Sequence, residues 1–529
     1  MKLTDLTLAE ASDFIERRAI SPVELTRAYI ERIERINPRL NSFITLAVED
    51  ALCRAKEAEA EIRRGMYRGV WHGIPIALKD LFETRGLRTT AGSPFLADYI
   101  PATDCTVVQR LNAAGAIVLG KLNMYEWALQ ANNANPHYGP CYNPWDLARD
   151  PGGSSGGAGA ALAAGLCLAA LGSDTGGSTR IPAALCGVVD LKPTYGRIST
   201  RGVLPLSPNL DHVGPMARRV RDIAALLQVI AGYDVDDPYS AKVPTANYVG
   251  ELDGGVTDWR VGLSIDGFVD DGMAVDVEVR QAVRDAAGIF ERLGARVDTI
   301  ELVRAREARQ LNSLMLISDA ATLHGERMRT QPELFGPDVL DGLKHGATVL
   351  ATDYARARFT QVELRRRYEQ IFEDYDILLT PTTPVAAPLC AEFGEVGDLR
   401  PSVISFTAPF NLTGLPALSL PGGFTHGGLP IGLQLVARPW AEDRLLRAGY
   451  AYEQATSWHE RKPEYIVAFG SRAQLYGASP HSVKRGVILG AAKATERQEE
   501  GYGRHIGLLS LVVELARIPG AHELFTTHP

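Results

Sequence analysis

The chain of 529 residues carries 55 basic and 63 acidic side chains, a net charge of −8, with 46% apolar and 22% charged residues. That composition belongs to a folded protein long enough to bury a large core without disulfides or metals. Its acidic balance excludes a general nucleic-acid binder, which needs a basic surface to neutralise phosphates, and six scattered cysteines without a CxxC spacing exclude a sequence-readable zinc site or disulfide scaffold.

The N-terminal stretch MKLTDLTLAEASDF has no basic segment followed by an apolar one. No secretory signal is therefore expected, and the cytoplasm is the expected location. Residues 5–65 read as helices packed on the rest of the domain. Ser21-Pro22-Val23-Glu24 is an N-cap with proline at N1, opening an amphipathic helix through Ile36. Ala51–Arg64 is a second, charged helix. Gly73–Leu78 is a short apolar strand, Thr106–Ala114 a helix and Ala116–Gly120 a strand. The run Ala158–Gly172 is 15 residues, mostly Ala and Gly. It is too short for a membrane span and reads as a buried helix, Gly156–Leu171. Arg260–Asp266, Val275–Leu293 and Ala295–Leu302 form a strand–helix–strand unit. Tyr375–Leu379, Ala417–Leu420 and Ile431–Val436 read as strands, and Ala441–Thr456 as a helix. Strands alternating with helices imply an α/β fold with both sheet faces covered. No linker interrupts Gly73 to Trp458, so residues 1–465 are expected to be one large domain. Residues 466–529 differ: 7 basic and 5 acidic side chains give +2, and four of the 11 histidines fall there. They are expected to be a C-terminal appendage, helical at His505–Arg517.

Glycine is concentrated: ten of the 51 lie between Gly152 and Gly187. Three segments around that cluster carry chemistry. Gly73–Lys79 is an apolar strand ending in a lysine, which acts as a base only if burial lowers its pKa by about three units. Pro151-Gly-Gly-Ser154-Ser155-Gly-Gly157 runs into the small-residue helix. Asp174-Thr175-Gly176-Gly177-Ser178 offers successive backbone N–H groups, and its glycines let that backbone curl into an anion-binding nest beside a serine nucleophile. Two other motifs fail. Gly152-x-Ser154-x-Gly156 matches a nucleophile elbow, but the proline-bearing residues before it make no strand. Gly115–Lys121 has the spacing of a phosphate loop but Leu122 in place of the final Ser/Thr, and Ala116–Leu119 reads as strand rather than loop.

Together the segments resemble the amidase signature family. The match rests on GGSSGG at 152–157, GSDTGGSTRIPAALCG at 172–187 and LKPTYGR at 191–197. Flanking motifs are ALKD at 77–80, NPWD at 143–146, TPTTP at 380–384, NLTGLPALSLP at 411–421 and GLPIGLQLVARP at 428–439. The resemblance implies a mixed central sheet and a Ser–cis-Ser–Lys triad: Ser178 as nucleophile, Ser154 as the bridging serine with a cis peptide bond, and Lys79 as base. It also implies oxyanion N–H groups from Thr175, Gly176 and Gly177 with that of Ser178, a supporting hydrogen bond from Ser155, and no metal or organic cofactor. Asp174 is expected to brace the turn. Arg180 either binds a substrate carboxylate or holds the loop, the second being favoured. His72 and His212 are expected to be packing residues. One departure is Asp190, where the family usually has glycine, which puts the local packing in question.

The implied reaction is hydrolysis of a linear amide through a seryl acyl-enzyme, releasing ammonia or an amine. A glutaminase (A) subunit of a tRNA-dependent amidotransferase is the first alternative. In that branch an acidic residue commonly occupies the position of Ile404, so a stand-alone amidase is preferred. An allophanate- or carbamate-type hydrolase is the second alternative. A scaffold without activity would have lost a triad residue, and none is lost. Met124, Trp127, Tyr138 and residues 305–350 are expected to shape substrate choice, their aliphatic and aromatic character pointing to an apolar acyl or aryl group. The expected partner is a small-molecule amide, with no nucleic acid and no membrane; a homodimer is allowed for.

Overall fold

The structure, a computed structural model, describes residues 2–268, 274–390 and 403–464. The expected appendage at 466–529 lies outside the described residues. The first long helix, Pro22–Leu40, starts where its sequence says it should. The Ser21 hydroxyl accepts from the Glu24 N–H at 3.0 Å, and the Glu24 carboxylate accepts from the Ser21 N–H at 2.8 Å, with Pro22 at N1.

In chain order the strands are β1 Phe43–Leu46, β2 Pro75–Lys79, β3 Ile117–Leu122, β4 Ala134–Asn135, β5 Gly139–Pro140, β6 Ala169–Asp174, β7 Val189–Lys192, β8 His212–Ala217, β9 Arg260–Leu263, β10 Arg296–Thr299, β11 Ile377–Pro381, β12 Ala417–Phe424 and β13 Pro430–Val436. Eleven of them form one sheet in the order β1-β3-β2-β6-β8-β7-β12-β13-β11-β9-β10, while β4 and β5 pair with each other. The sheet is mixed. β3, β2 and β6 run parallel, as do β11, β9 and β10, and the pairings between these two groups are antiparallel. Every residue of β2, β3, β6, β7, β8, β11 and β13 is buried, as strands covered on both faces require. One large α/β domain with a mixed sheet is therefore the architecture. Among the described residues, no helix is long and apolar enough to cross a membrane.

Several boundaries differ from the sequence reading. The expected helix Gly156–Leu171 ends at Ala163. Gly165 takes a φ of +68°, the Leu166 N–H returns to the Ala161 carbonyl, and the chain re-emerges as β6. A run of Ala, Leu and Gly has no periodicity to separate buried helix from buried strand. The helical reading of 5–65 missed β1, which pairs antiparallel with β3. The strand–helix–strand unit holds, with β9 and β10 parallel around the helix Val277–Arg292. Two long helices, Ala305–Thr330 and Ala351–Ile371, fill the central segment.

Candidate active site

Neighbouring parallel strands place the chemistry at their C-terminal ends, where open α/β sheets form clefts. Lys79 is the last residue of β2 and Asp174 the last of β6, and the two strands pair through Leu78 and Leu171. Beyond β6 the chain turns through Thr175–Thr179 into the helix Arg180–Cys186. Ser154 and Ser155 precede the helix Gly156–Ala163. The structure brings these segments together. Lys79 Nζ lies 2.7 Å from Ser154 Oγ and 2.9 Å from Ser173 Oγ. The Gly153–Ser154 peptide bond is cis. The Ser155 N–H donates to the Ser178 carbonyl at 3.1 Å, and the Ser155 hydroxyl donates to the Ser173 carbonyl at 3.2 Å. Lys79 is fully buried, and burial brings its pKa from 10.5 down to about 7 against the opposing pull of Asp174 and Asp211. Ser178 is 8% exposed, and its side chain makes no hydrogen bond to any described residue.

The Thr175–Ser178 loop is tied down from outside. The Asn312 amide donates to the Thr175 carbonyl at 3.2 Å, and the Thr407 hydroxyl donates to the Gly176 carbonyl at 2.7 Å. The Thr175 hydroxyl donates to Asp211 at 2.6 Å, a carboxyl that burial pushes up to about 6. One expectation needs correcting. The Gly177 N–H is engaged, donating to Asp174 Oδ1 at 2.8 Å. The N–H groups of Thr175, Gly176 and Ser178 donate to no described residue. Gly177 instead supplies shape: its φ is +131°, and a Cβ there would sit 2.2 Å from Thr407 Oγ1.

Asp174 and Arg180, both fully buried, brace this loop. Arg180 donates to the two Asp174 oxygens at 3.0 and 3.1 Å, and its remaining N–H groups go to Asn411 Oδ1 at 2.5 Å, Gln434 Oε1 at 2.8 Å and the Thr407 carbonyl at 3.0 Å. Burial would raise the Asp174 carboxyl, but the Arg180 charge, joined by hydrogen bonds from Arg180 and Asn411, holds it well below the carboxylate range. With its donors spent, Arg180 has none left for a substrate carboxylate.

Met124 is fully buried in the main core. Trp127 packs its ring 4.4 Å from that of His324 and 4.9 Å from the Arg327 guanidinium. His72 faces Glu61, and His212 Nδ1 lies 2.7 Å from the Leu210 carbonyl and 3.3 Å from that of Asp174; neither touches Ser178. Sequence reasoning missed Ser173, Thr179, Asp211, Asn312, Thr407, Asn411 and Gln434. Asn411 and Gln434 stand inside the NLTGLP and GLPIGLQ motifs, which was their only signal. Ile404 lies against a small apolar cluster that includes Ala131, Ile181 and Val403.

The family model described as Amidase matches residues 24–446, and the chain belongs to the amidase signature family, a family of amidohydrolases. It is 42% identical over 493 residues to the A subunit of glutamyl-tRNA(Gln) amidotransferase from Moorella thermoacetica, covering 88% of this chain and 100% of that protein. A solved structure described with a vestigial protein complex and the origins of an s-triazine catabolic enzyme superposes with a TM-score of 0.80 at 35% identity, covering 85% of this chain and 98% of that one. The structure of 6-aminohexanoate cyclic dimer hydrolase with its substrate gives a TM-score of 0.80 at 32% identity, covering 88% and 100%.

Proposed function

We propose that the protein cleaves a carboxamide C–N bond through an acyl-enzyme on Ser178. The observation that carries this reading is the buried Lys79 Nζ 2.7 Å from Ser154 Oγ, with the next residue tied by its N–H to the Ser178 backbone. A pKa near 7 leaves a large share of Lys79 neutral at physiological pH. Neutral Lys79 takes the proton of Ser154 as Ser154 takes that of Ser178, and Ser178 Oγ attacks the carbonyl carbon. The N–H groups of Thr175, Gly176 and Ser178 receive the oxyanion. Return of the proton through Ser154 releases ammonia or an amine, and water then cleaves the acyl ester.

For the substrate, the amidotransferase relatives support glutamine hydrolysis, with ammonia passed to partner subunits, more strongly than they support a stand-alone amidase. Ile404 is what favours the stand-alone reading: beside an apolar cluster it offers no charge to a glutamine amino group. A panel of glutamine, simple and aryl amides, ureas and carbamates, assayed with and without the other subunits of such an amidotransferase, decides between them. Glutaminase activity that appears only with the partner subunits establishes the first reading; efficient turnover of simple amides by the chain alone establishes the second.

A further inference from the structure

Asp190, the departure from the usual glycine, is fully buried on β7 beneath the nucleophile loop. Gly214 on the adjacent β8 makes the room: a Cβ there would lie 2.7 Å from Thr179 Oγ1 and 2.9 Å from Asp190 Oδ1. Thr179, next to Ser178, is held between two acids. Its Oγ1 lies 2.7 Å from Asp190 Oδ2 and 2.9 Å from Asp174 Oδ2. A hydroxyl has one proton to donate, so with both acids ionised one of these contacts would set lone pair against lone pair. Asp174 is the ionised partner, since Arg180, Asn411 and the Gly177 N–H all donate to it. Asp190 has no such company. Its Oδ1 has no partner among the described residues, and Lys192, two residues along β7, turns its Nζ to the Pro193 carbonyl at 3.0 Å. A bare buried oxygen costs a neutral acid far less than a carboxylate.

We propose that Asp190 is a positioning residue: as a neutral acid it donates to Thr179 Oγ1, and Thr179 in turn donates to Asp174, locking the loop that carries Ser178. The inference rests on Ser178 being the nucleophile. Burial first, then the Asp174 charge, pushes the Asp190 carboxyl well above the carboxylate range, against the opposing influence of Thr179, Arg180 and Lys192. The chain Asp190–Thr179–Asp174 fixes the direction of every hydroxyl proton along it, and Asp174 passes that order on to Gly177 and Arg180.

Two measurements test this. The infrared difference spectrum of wild type minus Asp190→Asn at neutral pH is expected to show the C=O stretch of a protonated carboxyl that shifts in D2O; its absence overturns the proposal. The second reads the rate at which a fluorophosphonate probe labels the active serine. Asp190→Asn, which keeps a donor, is expected to retain most of the rate, and Asp190→Ala to lose roughly 10- to 100-fold. In a Thr179→Val background the Asp190→Ala change is expected to cost nothing further. Wild-type labelling of Asp190→Ala, or an equal loss in both backgrounds, overturns the proposal. Labelling that survives Ser178→Ala would instead overturn the nucleophile assignment beneath it.

Discussion

Replacing Lys79 with methionine separates the cost of burying a base from its use. Burial lowers the folded pKa from 10.5 to about 7. Between these values the unfolded chain keeps a proton that the folded chain has lost, so stability rises with pH through this window and the Lys79 penalty is greatest at and below its lower end. The shift is 10.5 − 7, about 3.5 units, at ~1.36 kcal/mol each. With half the folded molecules protonated near pH 7 the penalty is about 4 kcal/mol, and near pH 9 it has fallen to about 2 kcal/mol. Methionine does not titrate. Lys79→Met therefore removes that penalty while leaving the Ser154 and Ser173 hydroxyls short of a partner, a pH-independent loss of about 1–3 kcal/mol for each. The stability difference between variant and wild type is expected to change by about 2 kcal/mol from pH 7 to pH 9, in the direction that favours the variant at the lower pH. Urea unfolding followed by tryptophan fluorescence at the two pH values reads this directly. Curves that move in parallel would show that Lys79 is charged when folded, and the neutral base would be lost with it. In the same variant, turnover is expected to fall ~10²–10⁴-fold, while wild-type activity climbs through about pH 7 as Lys79 gives up its proton.

The remaining expectations concern the loop. Ser178→Ala abolishes both fluorophosphonate labelling and ammonia release without lowering stability, because its side chain makes no hydrogen bond to a described residue; retained turnover would rule out the acyl-enzyme. Gly177→Ala forces a Cβ to 2.2 Å from Thr407 Oγ1 at a φ of +131°, and the displaced oxyanion donors are expected to cost ~10²–10³ in kcat; unchanged kinetics would show that the loop shape is not what holds those donors. Arg180→Met leaves Asp174 buried without its counter-charge, a loss of about 3–5 kcal/mol visible as a lowered Tm. If Tm stays put, the brace is not structural.

The parts of the candidate site that stood out in the sequence each lie within a short segment of their own. Gly152–Gly157 and Gly172–Ser178 stand out because glycine density has a backbone meaning, and Lys79 because it ends an apolar strand, but their roles came only with the resemblance to the amidase signature family. The rest was hidden by distance along the chain. Thr407, Asn411 and Gln434 reach Asp174, Gly176 and Arg180 across more than 220 residues, and nothing local to them says so. The same holds for the Gly177 N–H. Counting backbone donors in a glycine loop suggests an oxyanion role for it, but the count cannot know that Asp174 folds back to claim that hydrogen. The helix–strand error at Gly156–Leu171 has the opposite origin: both answers bury the same Ala-rich run, and only Gly165 decides between them. Asp190 combines these cases. Its sequence position marks it as odd, and only the strand pairing that sets it beside Gly214 and under Thr179 turns the oddity into a role. In that place a neutral acid can donate to the Thr179 hydroxyl while Thr179 donates to Asp174, a contact that glycine could not make.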